Sequence, residues 1–242
     1  MQFIIGLFAR PMGFLLAFLY DLVGIYGVSI IIFTILVRLC LFPLYASQIK
    51  HTVRMADMQS KITELQRKYA RDKELMNEKL QELYQKEKFN PMMGCLPMLI
   101  QMPIILGLFA LLRDPLIYMT DNAMIMAVHE SFLWVSDLSQ PDSWILPILA
   151  ALATFVSFSQ SQAQQTGADG ANSAQGMMKA MKYFFPVMIF LMGRSFPSGL
   201  TVYWAVGNLI QIIQNRILNV MREKAKEKAR KEKEKEAQKK KK

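Results

Sequence analysis

The sequence predicts an all-α integral membrane protein. Five transmembrane helices form a groove open to the cytoplasm, joined to a cytoplasmic antiparallel helical hairpin and a basic C-terminal tail. Three observations carry this. In 242 residues, 52% hydrophobic content coexists with a net charge of +10, which suits a soluble core poorly. The two kinds of residue are segregated: of 29 Lys and Arg, ten fall between Gln48 and Asn90 and twelve between Arg222 and Lys242. The long apolar runs between them approach the roughly 20 residues that a helix needs to cross a bilayer.

Residues 1–23 are apolar from Phe3 to Tyr20 but interrupted by Arg10-Pro11, and they lack the basic start of a signal peptide. They are read as a helix lying in the outer interface with its apolar face in lipid; a sixth span is the alternative. Spans follow at 24–45, 91–113, 143–160, 181–194 and 198–219, the last more amphipathic, with Tyr203, Trp204, Asn208, Gln211 and Gln214 among its apolar residues. Between them lie a hairpin at 46–90, an extracytoplasmic loop at 114–142, a cytoplasmic loop at 161–180 and a tail at 220–242.

Orientation follows from the excess of Lys and Arg on cytoplasmic loops. Placing both basic segments inside requires an even number of crossings between them, and spans two to five supply four. The acidic 114–142 segment is then outside, the N-terminus outside and the C-terminus inside.

Within the hairpin, Met55, Met58, Ile62, Leu65 and Tyr69 recur at a spacing that makes one helical seam, and after Asp72, an N-cap, the seam resumes with Met76, Leu80 and Leu83. Two antiparallel helices would bury these seams against each other. The tail mixes Lys and Glu at helical spacing and closes with four lysines, an exposed helix fraying into disorder. Such tails bind RNA or anionic headgroups; a simple topology anchor explains this one equally well.

Two cysteines, Cys40 and Cys95, cannot build a disulfide scaffold, and the two histidines, His51 and His129, have no pairing at ligand spacing, so neither metal nor cofactor is expected. No paired Asp, no Ser with a base and no His-Glu zinc motif lies within a span, which argues against an intramembrane protease or other enzyme.

Arg38 stands in the apolar run Phe33 to Phe42, with no acidic residue in any span to pair with it. An arginine at a helix centre costs about 2.5–3.5 kcal/mol on insertion scales, so it faces a partner, a wet cavity or the headgroups. Arg38 lies roughly 20 Å inward from Ile25 at 1.5 Å per residue, which makes snorkelling one solution. The other is a hydrated cationic recess, because Thr34, Gln101, Thr154, Ser157, Asn208 and Gln211 place further polar groups within the spans. An anion-handling transporter or channel would use such a site too, although the sequence shows no evident inverted repeat.

The run Asn90-Pro91-Met92-Met93-Gly94-Cys95-Leu96-Pro97-Met98-Leu99-Ile100-Gln101-Met102-Pro103-Ile104 resembles the signature stretch of the YidC family of membrane protein insertases. So do Phe132-Leu133-Trp134-Val135-Ser136-Asp137-Leu138, Ile145-Leu146-Pro147-Ile148-Leu149, and Phe196-Pro197-Ser198-Gly199-Leu200-Thr201-Val202-Tyr203-Trp204 followed by Asn208-Leu209 and Ile212-Ile213-Gln214. The likeness runs from about Tyr26 to Arg222 and is to the bacterial short form, without the large extracytoplasmic domain of one branch or the cleaved lipoprotein signal of another. It implies a protein of the bacterial cell membrane that helps nascent membrane proteins insert and fold, alone or with the Sec translocon. It assigns the groove arginine to Arg38, a neighbouring polar position to Thr34 and an aromatic position to Trp204. A substrate slide between spans two and four falls near Met102, Ile105, Met188 and Met192. The implied partners are nascent chains, lipid and, through the basic tail, the ribosome, with no cofactor and no small-molecule substrate.

Overall fold

The computed structural model describes residues 2–47, 49–88, 90, 96–113, 117, 122–163 and 173–239. Among these it contains nine helices: α1 (Gln2–Val23), α2 (Tyr26–Ser47), α3 (Ile49–Lys68), α4 (Lys73–Lys86), α5 (Leu96–Arg113), α6 (Asn122–Ala127), α7 (Ile145–Ala163), α8 (Ser173–Gly193) and α9 (Ser198–Lys239). No strand occurs among the described residues beyond one isolated bridge, Phe132 with Val135. Residues 91–95 of the signature stretch, part of the acidic segment, the centre of the 161–180 loop and the last three lysines lie outside the described residues.

Two stretches are long and apolar enough to cross a membrane, Gly6–Val23 and Tyr26–Ser47, and shorter apolar helices run over Gln101–Arg113, Ile145–Ser161 and Ala180–Gly193. Helices are what such sequences must form in lipid, where each backbone N–H and C=O needs a partner within its own segment. Prolines nevertheless sit inside four of them, Pro11, Pro43, Pro103 and Pro186. Each lacks an N–H and crowds the carbonyl four residues back.

The packing has α9 at its centre. α7 lies between α8 and α9, α2 packs on the other side of α9, and α1 packs on α5 and α2. α5 and α8 do not pack along each other among the described residues. The Phe109 ring of α5 lies 4.9 Å from that of Phe196, in the turn between α8 and α9. Ala9, Leu16 and Leu19 are the buried face of α1, while Leu7, Phe14, Phe18 and Leu22 point outward. Gly107 lets α5 approach α1: a Cβ there would meet Phe8 Cβ at 3.1 Å and Met12 Sδ at 3.2 Å.

The apolar core is concentrated at one end of the bundle. It joins Tyr26, Ile30 and Phe33 of α2, Leu108, Leu111 and Leu112 of α5, Leu146 of α7, and Leu200, Val202 and Tyr203 of α9 to Ala127, Val128, Val135 and Leu138 of the 127–142 loop. That loop caps the helices beneath it. Glu130 accepts from the Tyr26 amide at 2.9 Å and from the Tyr20 hydroxyl. The Leu138 and Gln140 carbonyls accept from the Gly199 and Ser198 amides, each at 2.9 Å. Asp142 accepts from the Leu146 amide at 2.7 Å. The first N–H groups of α2, α7 and α9 are thereby satisfied, as buried helix starts require.

The opposite end carries the hairpin. Asp72 caps α4 through the Glu74 and Leu75 amides, as the sequence predicts. Met58 and Ile62 of the α3 seam are buried, and Lys61 pairs with Glu87 across the two arms. The side chain of Met55 lies outside the described residues. Burial is one-sided: Met76, Leu80 and Leu83 of α4 remain half-exposed, because α3 also leans on α9. There Leu218 joins Tyr45, Ile49 and Val53, with Ala225 packed against them.

Two boundaries differ from expectation. α8 starts at Ser173, inside the expected 161–180 loop. α9 crosses the expected limit at 219–220 and stays helical to Lys239, where fraying was expected. The Ala-, Glu- and Lys-rich tail has high helix propensity and gains pairs such as Lys226 with Glu223 and Lys231 with Glu227.

At Gly27 a Cβ would lie 2.2 Å from Phe132 Cγ, deep inside contact distance. Gly27→Val should therefore destabilise the detergent-solubilised protein by about 1–3 kcal/mol through overpacking, and Phe132→Ala on that background should recover part of the loss. Additive effects of the two substitutions on thermal unfolding would show that the loop does not seat on α2.

Candidate functional site

Below the apolar core, toward the hairpin, the side chains facing α9 become polar. Arg38, half-buried on α2, turns toward α9 and donates from Nη1 to Gln211 Oε1. Its guanidinium lies against Gly207, where a Cβ would meet Nη2 at 3.0 Å and Nε at 3.4 Å. Tyr45 lies two turns further along α2, at the helical spacing that puts it on the face of Arg38. Gln214 Nε2 donates to the Arg38 carbonyl at 3.1 Å. Gly207, Gln211 and Gln214 recur at helical spacing on one face of α9, so this face cradles both the head and the backbone of Arg38. A snorkelling arginine would reach away from its neighbours; this one reaches across a helix interface. No carboxylate pairs with it among the described residues.

The other expected residues divide into two groups. Trp204 Nε1 donates to Thr154 Oγ1 at 3.3 Å, and that hydroxyl donates to the Ala150 carbonyl at 2.7 Å. Gln101 Nε2 donates to the Tyr203 hydroxyl at 2.9 Å. Side chains thus tie α2, α5 and α7 to α9. Thr34 and Asn208 instead bond their own helices, at the Ile30 and Trp204 carbonyls. Ser157 is buried, and its contribution comes from the backbone: its carbonyl and the Ser161 hydroxyl accept from Asn215 Nδ2 at 3.4 and 3.3 Å. Tyr45, Tyr203, Gly207, Gln214, Ser161 and Asn215 therefore belong to the polar network although sequence reasoning did not select them. The spacing 204, 208, 211, 215 was the available signal, a polar stripe along one side of an apolar helix.

The expected slide residues lie on α5 (Met102, Ile105) and α8 (Met188, Met192). Met102 is exposed, and Ile105, Met188 and Met192 are half-buried. Methionine suits a surface that must accept varied apolar side chains, being unbranched and polarisable.

Beyond the core, the capping loop carries a polar knot. Ser139 donates to Asp137 from its amide at 2.8 Å and its hydroxyl at 2.6 Å, and His129 Nδ1 lies 3.2 Å from Asp137. Burial alone would push the Asp137 carboxyl up; the Ser139 bonds and His129 outweigh it and hold the group below its ordinary value. Among the described residues no cluster of His, Cys, Asp or Glu suits a metal ion.

Long apolar helices, an apolar core at one end of the bundle and polar side chains gathered around Arg38 define a helical membrane protein. The comparisons agree: residues 18–228 match the family described as 60Kd inner membrane protein, and the chain belongs to that family. It is 40% identical over 215 residues to membrane protein insertase YidC 1 of Listeria monocytogenes, covering 86% of this chain and 69% of that protein. It is 38% identical to YidC of Fusobacterium nucleatum, covering 88% and 96%. Against YidC of Shewanella frigidimarina it is 37% identical, covering 89% of this chain but 37% of that longer protein.

A carboxyl held below its ordinary value adds stability that is complete above that value and fades as pH falls through the lowered one. Thermal stability should therefore fall as pH drops below about 4, and Asp137→Asn should flatten that dependence. An unchanged profile in Asp137→Asn would remove the knot from the loop's stability.

Proposed function

We propose that this chain is a membrane protein insertase and chaperone whose five helices α2, α5, α7, α8 and the first half of α9 span the cell membrane. The hairpin and the basic end of α9 lie in the cytoplasm, the N-terminus and the capping loop lie outside, and α1 rests at the outer interface. The observation that carries the reading is Arg38, a charge inside the bundle held by neutral acceptors and by a glycine face, with no carboxylate among its described partners.

A weakly hydrophobic nascent helix, led by a short polar or acidic segment, enters from the cytoplasmic side. Transfer of such a segment into hydrocarbon leaves polar groups without partners, at several kcal/mol each. Water and the guanidinium of Arg38, with Gln211 and Gln101 nearby, supply those partners part way across. The remaining path is short, because the apolar plug occupies only the outer half. The membrane potential favours outward movement of acidic residues by about 2.3 kcal/mol per charge per 100 mV. The apolar helix then leaves sideways past Met102, Ile105, Met188 and Met192, where α5 and α8 leave the bundle open.

The basic half of α9 supports the expectation of a ribosome partner, since Lys and Arg along an exposed helix attract RNA; work beside the Sec translocon is a further proposal. An anion transporter or channel is not favoured, since the curated relatives are named insertases.

The test is insertion of a single-span substrate with an acidic outer segment into vesicles carrying wild type, Arg38→Ala or Arg38→Lys at equal abundance. Alanine should slow insertion by about tenfold or more, worth roughly 1.4 kcal/mol, while lysine preserves most of the rate. Equal insertion by all three would leave hydration and shape as the whole mechanism.

A further inference from the structure

Arg38 is parked on a neutral partner, Gln211, at a position of α9 where a carboxylate would pair with it. Its Nη1 donates to the amide oxygen of Gln211, and Gln211 Nε2 is itself held by Asn215 Oδ1 at 3.0 Å, which orients that oxygen toward α2. Asn215 is anchored in turn on α7 through Ser157 and Ser161. A relay of neutral amides thus runs from α7 through α9 to the guanidinium. Gly207 leaves open the face on which Arg38 lies, and Gln214 fixes its backbone one turn before Pro43.

The Arg38–Gln211 bond already has an ionised donor; a carboxylate adds the opposite charge and a second oxygen, so it can take the planar guanidinium fork through two parallel bonds where an amide offers one acceptor. An incoming carboxylate therefore displaces an amide oxygen from Arg38 at a net gain, whereas a neutral polar segment exchanges like for like. We propose that Gln211 is a placeholder acceptor that determines specificity: it holds Arg38 in the recess, yields it to carboxylates on the substrate's leading segment, and so sets preference for acidic over neutral segments. This rests on the insertase reading and adds to it the residue that tunes substrate choice.

The experiment uses the full-length protein in vesicles of phosphatidylethanolamine and phosphatidylglycerol, with two single-span substrates whose leading segments differ only in Asp against Asn. The readout is the ratio of their initial insertion rates. Gln211→Glu, which supplies an internal carboxylate, should lower the acidic-to-neutral ratio by about tenfold, because an ion pair at Arg38 then competes with the substrate's carboxylates. Gln211→Leu, which removes the competitor, should raise it. A ratio unchanged by Gln211→Glu in folded protein overturns the proposal, and so does a fall in Gln211→Leu, which would make Gln211 a structural prop. Should Gln211→Glu fail to fold, Gln211→Leu alone decides. An Arg38→Ala arm separates the two readings: if it leaves the ratio untouched, the cationic recess itself is wrong; if it abolishes the preference while Gln211→Glu does not, only the placeholder fails.

Discussion

A single unneutralised charge placed among apolar helices constrains the rest of this molecule. An arginine in hydrocarbon demands acceptors, and a carboxylate would be the strongest. The bundle uses an amide and a glycine face on α9 instead. Neutral acceptors satisfy geometry without cancelling the charge of the guanidinium, which on the proposed reading stays available to an incoming chain.

The opposite end answers a different demand. On the proposed reading a hydrated recess must not become a pore, and the buried cluster of Tyr26, Ile30, Phe33, Leu111, Leu138 and Leu200 places apolar surface across its outer end. The 127–142 loop holds that plug by acting as a cap for three helices at once, through Glu130, the Leu138 and Gln140 carbonyls and Asp142. Apolar and polar halves are therefore parts of one arrangement around α9, whose first turns face the apolar core, whose middle face carries the polar stripe and whose far end supports the hairpin through Leu218 and Ala225.

Much of this was legible in the chain because it depends on local pattern. Apolar runs mark the helices, Asp72 marks the hairpin turn, and Arg38 announces itself by violating its surroundings. The capping loop was not legible in the same way: Glu130 reaches the Tyr26 amide across 104 positions, and nothing near Glu130 in sequence distinguishes it from a solvated carboxylate. The assignment of Thr34 to Arg38 followed helical spacing, yet the hydroxyl finds the Ile30 carbonyl closer at hand, as hydroxyls inside helices often do. Tyr45 and Gly207 escaped notice for opposite reasons. One lies past Pro43 near the end of its helix, and the other matters for the side chain it lacks.

The central claim is that the bundle is wet on the hairpin side and dry beneath the loop. Single cysteines in a chain with Cys40 and Cys95 replaced by serine test it directly, with a small membrane-impermeant maleimide applied from the hairpin side of oriented vesicles. Asn208→Cys and Gln211→Cys should react readily, while Ile30→Cys and Leu111→Cys should stay unlabelled until the protein is unfolded. Equal protection at all four positions would mean that Arg38 lies in a dry bundle, and equal labelling that no plug exists.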